Sequence, residues 1–189
     1  MRKLQQTLLP IKLEESPERL TSLAGLVLVE EWGRVKGIWG RVDQLFGPPG
    51  SGRGYAASEY VRPLVWLLHA GGRRLEGVRE LASEQEVLSQ LGLQRLPSAD
   101  AIGDWLWRCG QKGGARGVQQ ISKEMVRPYL QTLGEEITID PDATIIEADK
   151  REAEWTYQKV KGYQPLLAYV NEVCIHHEFR AGNVMLLRE

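Results

Sequence analysis

Over most of the chain, up to about position 130, apolar residues recur every three or four positions, the period of helices that bury one face. Ser16-Pro17-Glu18 predicts a first helix start: Ser caps, Pro suits the first turn, and Glu favours the positive end of the dipole. Leu20, Leu23, Ala24 and Val27 follow at helical spacing. Gly47-Pro48-Pro49-Gly50-Ser51-Gly52 interrupts the pattern and predicts a loop. Ser58 opens a helix with Val61, Leu64, Val65 and Leu68 on its apolar face, closed by Gly71-Gly72. Leu75 to Ala82 and Glu84 to Leu91 predict two short helices hinged at Ser83. Beyond Gly92 and Pro97, Ser98 caps a helix whose apolar face is Ala101, Ile102, Trp105, Leu106 and Cys109, ended by Gly110, Gly113 and Gly114. A last helix carries Val118, Ile121, Met125, Tyr129 and Leu130, bends near Pro128 and stops at Gly134.

The pattern then changes. Glu136 to Glu147 is rich in β-branched residues and predicts one strand. Leu166 to Val170 and Val173 to Phe179 predict two more, joined by a turn at Asn171-Glu172. The expectation is an α+β chain in which a helical bundle, residues 1–134, precedes the first strands of a sheet, residues 135–189.

Bulk properties narrow the function classes. The chain has 189 residues, 42% hydrophobic and 26% charged, ordinary for a globular protein. The longest apolar stretch, Leu23 to Val29, is too short to span a bilayer, and Met1-Arg2-Lys3-Leu4 is not followed by an apolar block of leader type, so a cytoplasmic protein without a membrane partner is expected. Cys109 and Cys174 lack CxxC spacing and read as reduced, partly buried thiols. His69 reads as a packed core histidine. His176 and His177 are adjacent, so on a strand they face opposite ways and cannot share a metal. Residues 1–130 hold 18 Lys and Arg against 14 Asp and Glu, whereas residues 131–189 hold 6 against 11. A basic first part and an acidic last part fit a nucleic-acid-binding region followed by a carboxylate region, and also fit charges scattered by chance.

Asp140 and Asp142 are the sharpest chemical feature. Two residues apart on a strand, they point to one face, roughly 6–7 Å apart, with Thr144 continuing it. Such a pair can offer oxygen ligands to a hard cation, which would position phosphate and activate water. It equally fits a solvated strand end or turn, and Pro141 between the two is uncommon in a central strand.

Several separated segments, in order, resemble the DDE transposases of bacterial insertion sequences. They are Leu96-Pro97-Ser98-Ala99-Asp100-Ala101-Ile102-Gly103-Asp104-Trp105-Leu106-Trp107-Arg108, then Ile139-Asp140-Pro141-Asp142-Ala143-Thr144, then Lys161-Gly162-Tyr163-Gln164-Pro165-Leu166, then Glu178-Phe179-Arg180-Ala181-Gly182-Asn183-Val184. The resemblance implies a ribonuclease-H-like catalytic domain in which two Asp and one Glu hold Mg²⁺ or Mn²⁺ for DNA strand cleavage and transfer. The first Asp lies on the first strand, closely followed by Thr. It matches Asp142 of Asp142-Ala143-Thr144, with Asp140 as the neighbouring alternative, and Pro141 stands where an apolar residue is expected. The second Asp and the Glu come later in that family, and the chain ends at Glu189. Glu147, Asp149, Glu152 and Glu154 read instead as the solvated face of a connecting segment. A truncated transposase, inactive alone, is therefore expected.

Its partners would be DNA at element ends and full-length transposase subunits. Tyr157, Lys159, Lys161 and Tyr163 could grip phosphates or stack on a base, or form a hairpin with a solvated basic edge. Arg180 and Asn183 fit phosphate contact and turn stabilisation equally. Glu84 to Leu91, the link through Gly92, and Ser98 to Cys109 form a long-linked version of a helix-turn-helix, with Arg95, Arg108 and Lys112 on its groove side, or simple bundle packing. Two other readings stay open: a non-enzymatic DNA-binding module that occupies element ends or blocks full-length transposase, and a broken gene product that folds poorly.

Overall fold

The computed structural model describes residues 21–49 and 54–184. The predicted helix start at Ser16 and most of the glycine-rich part of the loop at residues 50–53 lie outside the described residues. Within them all helices precede all strands, so the chain is α+β, with a helical N-terminal part followed by antiparallel strands. It divides into two compact units. One holds the described residues to Gly40 and from Pro48 to Trp105, and the other holds Arg41–Gly47 and everything from Leu106.

The first unit contains α1 (Leu26–Val35), the start of α2 (Ile38–Phe46), α3 (Ala57–His69), a 3₁₀ turn (Leu75–Gly77), α4 (Val78–Ser83), α5 (Gln85–Gln90) and the first half of α6 (Ala99–Gln111). Its core joins Leu26, Tyr60, Trp66, Leu67, Val78, Leu81, Val87 and Ile102. The hinge at Ser83 forms as predicted, the Ser83 hydroxyl donating to the Glu80 carbonyl at 2.6 Å. Ser98 caps α6: its Oγ accepts from the Ala101 N–H at 3.1 Å. The apolar face of α3 differs from the predicted one. Tyr60, Pro63, Trp66 and Leu67 are buried while Leu68 is 69% exposed, because turning the two aromatics inward removes more apolar area from water than Val61, Val65 and Leu68 could. His69 is likewise exposed rather than packed. Its Nδ1 lies 2.9 Å from the carbonyl of Val65, one turn back in the same helix. Helix α2 was not predicted. It is short, Gly37 precedes it with φ +67°, and Gly40 interrupts its apolar pattern.

The second unit contains the rest of α2 and α6, α7 (Gly114–Leu130) and six strands: β1 (Asp140–Ala143), β2 (Ile146–Glu147), β3 (Glu154–Trp155), β4 (Lys161–Tyr163), β5 (Leu166–Val170) and β6 (Val173–Glu178). Helix α7 is tied to the β5–β6 hairpin at both ends. Gln119 donates to the His177 carbonyl at 3.0 Å, and Asn171 in the hairpin turn donates to the Tyr129 hydroxyl at 2.8 Å. Asn171 sits at φ +54°, a conformation that asparagine tolerates. Gly117 faces the Phe46 ring of α2, where a Cβ would lie 3.1 Å from Cζ. Arg41 of α2 makes a two-pronged ion pair with Glu124 of α7, at 2.8 and 2.6 Å.

The strands form two three-stranded antiparallel sheets, ordered β1-β5-β6 and β2-β4-β3. The single strand predicted from Glu136 to Glu147 is thus split between two sheets. The register nonetheless continues across the break, from Ala143 opposite Leu166 to Ile146 opposite Tyr163. Thr144 donates to the Pro165 carbonyl at 3.3 Å, but Pro165 has no N–H to return, so the ladder fails there. Gln164, next along, turns its N–H to the Arg180 carbonyl at 2.9 Å instead.

Candidate functional site

Strand β1 is an edge strand paired only with β5 among the described residues, and Asp140, Pro141 and Asp142 on it are all exposed. Successive residues of an antiparallel strand alternate in the direction of their backbone groups. The Thr144 N–H points to β5, so those of Asp142 and Asp140 do too, and the Pro141 nitrogen faces the open edge. Proline there removes no ladder bond, which is why a Pro between the two acids is compatible with a regular strand. Asp140 and Asp142 share a face with Tyr169 and Leu167 of β5, and through Leu167 with His177 of β6. Desolvation, with a smaller contribution from the neighbouring His176, holds the His177 imidazole below its ordinary pKa. Among the described residues no group of three or more His, Cys, Asp or Glu comes together as a metal cage.

A second assembly joins two sequence segments that stand well apart. Strands β3 and β4 form a hairpin, Glu154 opposite Gly162 and Trp155 opposite Lys161. Its turn is clamped by Thr156, whose N–H and hydroxyl both donate to the Val160 carbonyl, at 2.8 and 2.9 Å. Lys159 in that turn has φ +61° and is exposed, and Lys161 is half-buried. The chain after β6 returns across this hairpin. Tyr163 bridges to Ala181, the Tyr163 and Phe179 rings lie 4.8 Å apart, and Arg180 Nε donates to the Gln164 carbonyl at 3.2 Å. Glycine is demanded twice here, at 182 by the crossing and at 162 by the approach of β2. A Cβ on Gly182 would lie 2.5 Å from the Glu154 carbonyl oxygen and 2.8 Å from that of Gly162, and one on Gly162 would collide with the Ile146 carbonyl.

Of the residues singled out from the sequence, Lys159, Lys161, Tyr163, Arg180 and Asn183 therefore meet in one assembly. Arg180 is buried and holds the backbone of Gln164, while Asn183 is exposed. Beside them lies a cavity of about 490 Å³ lined by Ala143, Trp155, Tyr157, Gln164 and Asn183 among others. Trp155 and Gln164 join this assembly although the sequence does not single them out as site residues. A signal for Trp155 exists in the aromatic Trp155 and Tyr157 on either side of polar Thr156, although the strand ends at Trp155 and Tyr157 lies in the turn. No local signal marked Gln164.

The helical candidates are placed separately. Arg95 is exposed before α6 with its guanidinium carbon 5.8 Å from the Tyr55 ring centre, and Arg108 and Lys112 are exposed at the far end of that helix, in the other unit. Helices α5 and α6 are joined by the eight residues 91–98. Nearby charge lowers and burial raises the Cys109 thiol pKa, and burial wins.

The family model described as transposase DDE domain group 1 matches residues 5–187. No curated protein and no solved structure matches the chain.

Proposed function

The chain belongs to the family of transposase DDE domains, group 1, and on that footing we propose that it is the DNA-engaging part of a transposase whose catalytic set is incomplete within these residues. The family is one of DNA transposition, and its members use divalent metal ions. In this reading residues 1–134 form the helical DNA-binding region, and residues 135–189 form the opening of a ribonuclease-H-like domain with Asp142 as its first catalytic carboxylate. The observation that carries it is the exposed pair Asp140 and Asp142, facing one way on an edge strand in a chain of this family. Mg²⁺ keeps several waters and takes one or two carboxylates, so the pair fits Mg²⁺ or Mn²⁺ as loosely held ligands. A bound ion would polarise a phosphate oxygen and lower the pKa of a water on it. The chain's own contribution is to fix the two carboxylates on one face, with Lys159, Lys161, Arg95, Arg108 and Lys112 available to phosphates. Because no third ligand joins the pair among the described residues, these 189 residues are expected not to cleave DNA alone.

The test uses the purified chain and duplexes taken from the two flanks of its own gene. Binding that weakens steeply with salt, without Mg²⁺- or Mn²⁺-dependent nicking, is expected. Cleavage that disappears in Asp142→Asn would overturn the claim of inactivity, and absence of salt-dependent duplex binding would overturn the DNA-engaging role.

The open edge of β1 favours a second reading. An unpaired strand edge is a template for another chain, so the protein could join a full-length transposase subunit and occupy element ends unproductively. Inhibition of that enzyme in mixtures, unaffected by Asp142→Asn, would select this reading.

A further inference from the structure

The cavity beside the β3–β4 hairpin is lined by neither Asp140 nor Asp142. Its walls are of two kinds. Trp155 of β3 and Tyr157 of the turn that follows, 67% and 71% exposed, line it on either side of Thr156, which is 5% exposed and clamped to Val160. Gln164 and Asn183, two residues with side-chain amides, also line it. The main chain of Gln164 is fully engaged, its N–H with the Arg180 carbonyl and its carbonyl with Arg180 Nε. Gln164 is only 5% exposed and lines the cavity, and none of the side-chain hydrogen bonds among the described residues engages its amide. An amide in a cavity wall, with two donors and an acceptor, can meet a polar edge placed against it.

We propose that this cavity receives a nucleobase from an unpaired DNA nucleotide, stacked on Trp155 and Tyr157 and read at its edge by the Gln164 and Asn183 amides. The proposal rests on the DNA-engaging reading above and names the part of the substrate that reaches this hairpin. Aromatic side chains accept the face of any base, and Gln and Asn amides match the paired donor and acceptor of a base edge. The volume of about 490 Å³ suits a ligand of that size. Lys159, exposed in the turn two residues from Tyr157, supplies a cation for the attached phosphate. A base within a duplex cannot offer its face, so the nucleotide must be unpaired.

Three probes of one sequence test this with the full chain: a fluorescein-labelled single strand, the same strand with abasic residues, and the blunt duplex. The base-bearing strand is expected to bind on the order of tenfold more tightly than the abasic one, whose phosphates are unchanged. Trp155→Ala and Tyr157→Ala should bring it down to the abasic level while leaving duplex affinity unchanged, and Trp155→Phe should keep most of the advantage. Gln164→Met, which keeps the length and drops the amide, should also lower single-strand affinity. Both aromatics are exposed, so their variants should melt like the parent. Equal binding of the base-bearing and abasic strands, with duplex binding intact, overturns this inference alone. An equal loss on all three probes in Trp155→Ala also overturns it, and failure of the parent to bind any probe overturns it together with the DNA-engaging reading.

Discussion

Arg62 and Glu30 provide the sharpest quantitative test of the helical unit. Glu30 of α1 is 7% exposed, and Arg62 of α3 meets it with two prongs, Nε to Oε2 at 3.2 Å and Nη2 to Oε1. The guanidinium carbon also lies 5.7 Å from the centres of the Trp39 and Trp66 rings, so the cation is held between two π faces. Replacing Arg62 by Met keeps the aliphatic stem against the rings but leaves a carboxylate buried and unpaired. Removing one partner of a buried pair costs about 3–5 kcal/mol. The Arg62 side chain remains 22% exposed, so the lower end, about 3 kcal/mol, is expected. Glu30→Gln leaves the guanidinium its rings and some solvent, and should cost roughly 1–2 kcal/mol. The double variant buries no charge, so it should be less destabilised than the sum by about 1.5 kcal/mol or more. Urea unfolding followed by tryptophan emission is the assay, since Trp39 and Trp66 flank the group being changed. An Arg62→Met variant within about 0.5 kcal/mol of the parent, or strict additivity in the cycle, would refute the reasoning.

Two further outcomes follow from the second unit. Gly182→Ala forces a methyl against two backbone carbonyls, neither of which can move without disturbing β3 or β4, so a loss near the top of the overpacking range, about 3 kcal/mol, is expected; hydrogen exchange should show it first at Thr156 and Gln164. The hydrogen bonds from Arg41, and then from Gln120, bring the Glu124 carboxyl down to about 2 from an ordinary 4.5. Its folded pKa is depressed, so its contribution is complete above 4.5 and fades as pH falls towards 2, and a Glu124→Gln variant should show a flatter melting temperature across that window than the parent.

The order of elements was legible because it rests on period and punctuation. Asn171-Glu172 marks its turn, Ser98 its cap and Ser83 its hinge by local chemistry, and each forms where the sequence places it. What was illegible depends on partners far along the chain. The face of α3 is not fixed by its pattern, because Val61, Val65 and Leu68 satisfy the helical period as well as Tyr60, Trp66 and Leu67 do, and only the available core decides between them. The split of Glu136 to Glu147 into β1 and β2 depends on Pro165, which stands opposite Thr144 in the completed sheet and nowhere near it in sequence.

The site follows the same division. The spacing of Asp140 and Asp142 states by itself that they share a face, but the compatibility of Pro141 with that strand depends on which edge is free, and this is a property of the sheet. Gly162 and Gly182 would read in isolation as loop glycines. Gly162 lets β2 approach β4 and Gly182 lets the returning chain cross β3 and β4, each at a distance that no Cβ tolerates, and the crossing holds Gln164 in the wall of the cavity beside Trp155 and Tyr157. A segment that carries Arg180, Gly182 and Asn183 therefore serves the hairpin first by fixing its geometry. Any contact with DNA made by Lys159, Tyr157 or Asn183 inherits its precision from that fixed crossing, so substitutions at the two glycines should weaken binding without removing a single group that touches the ligand.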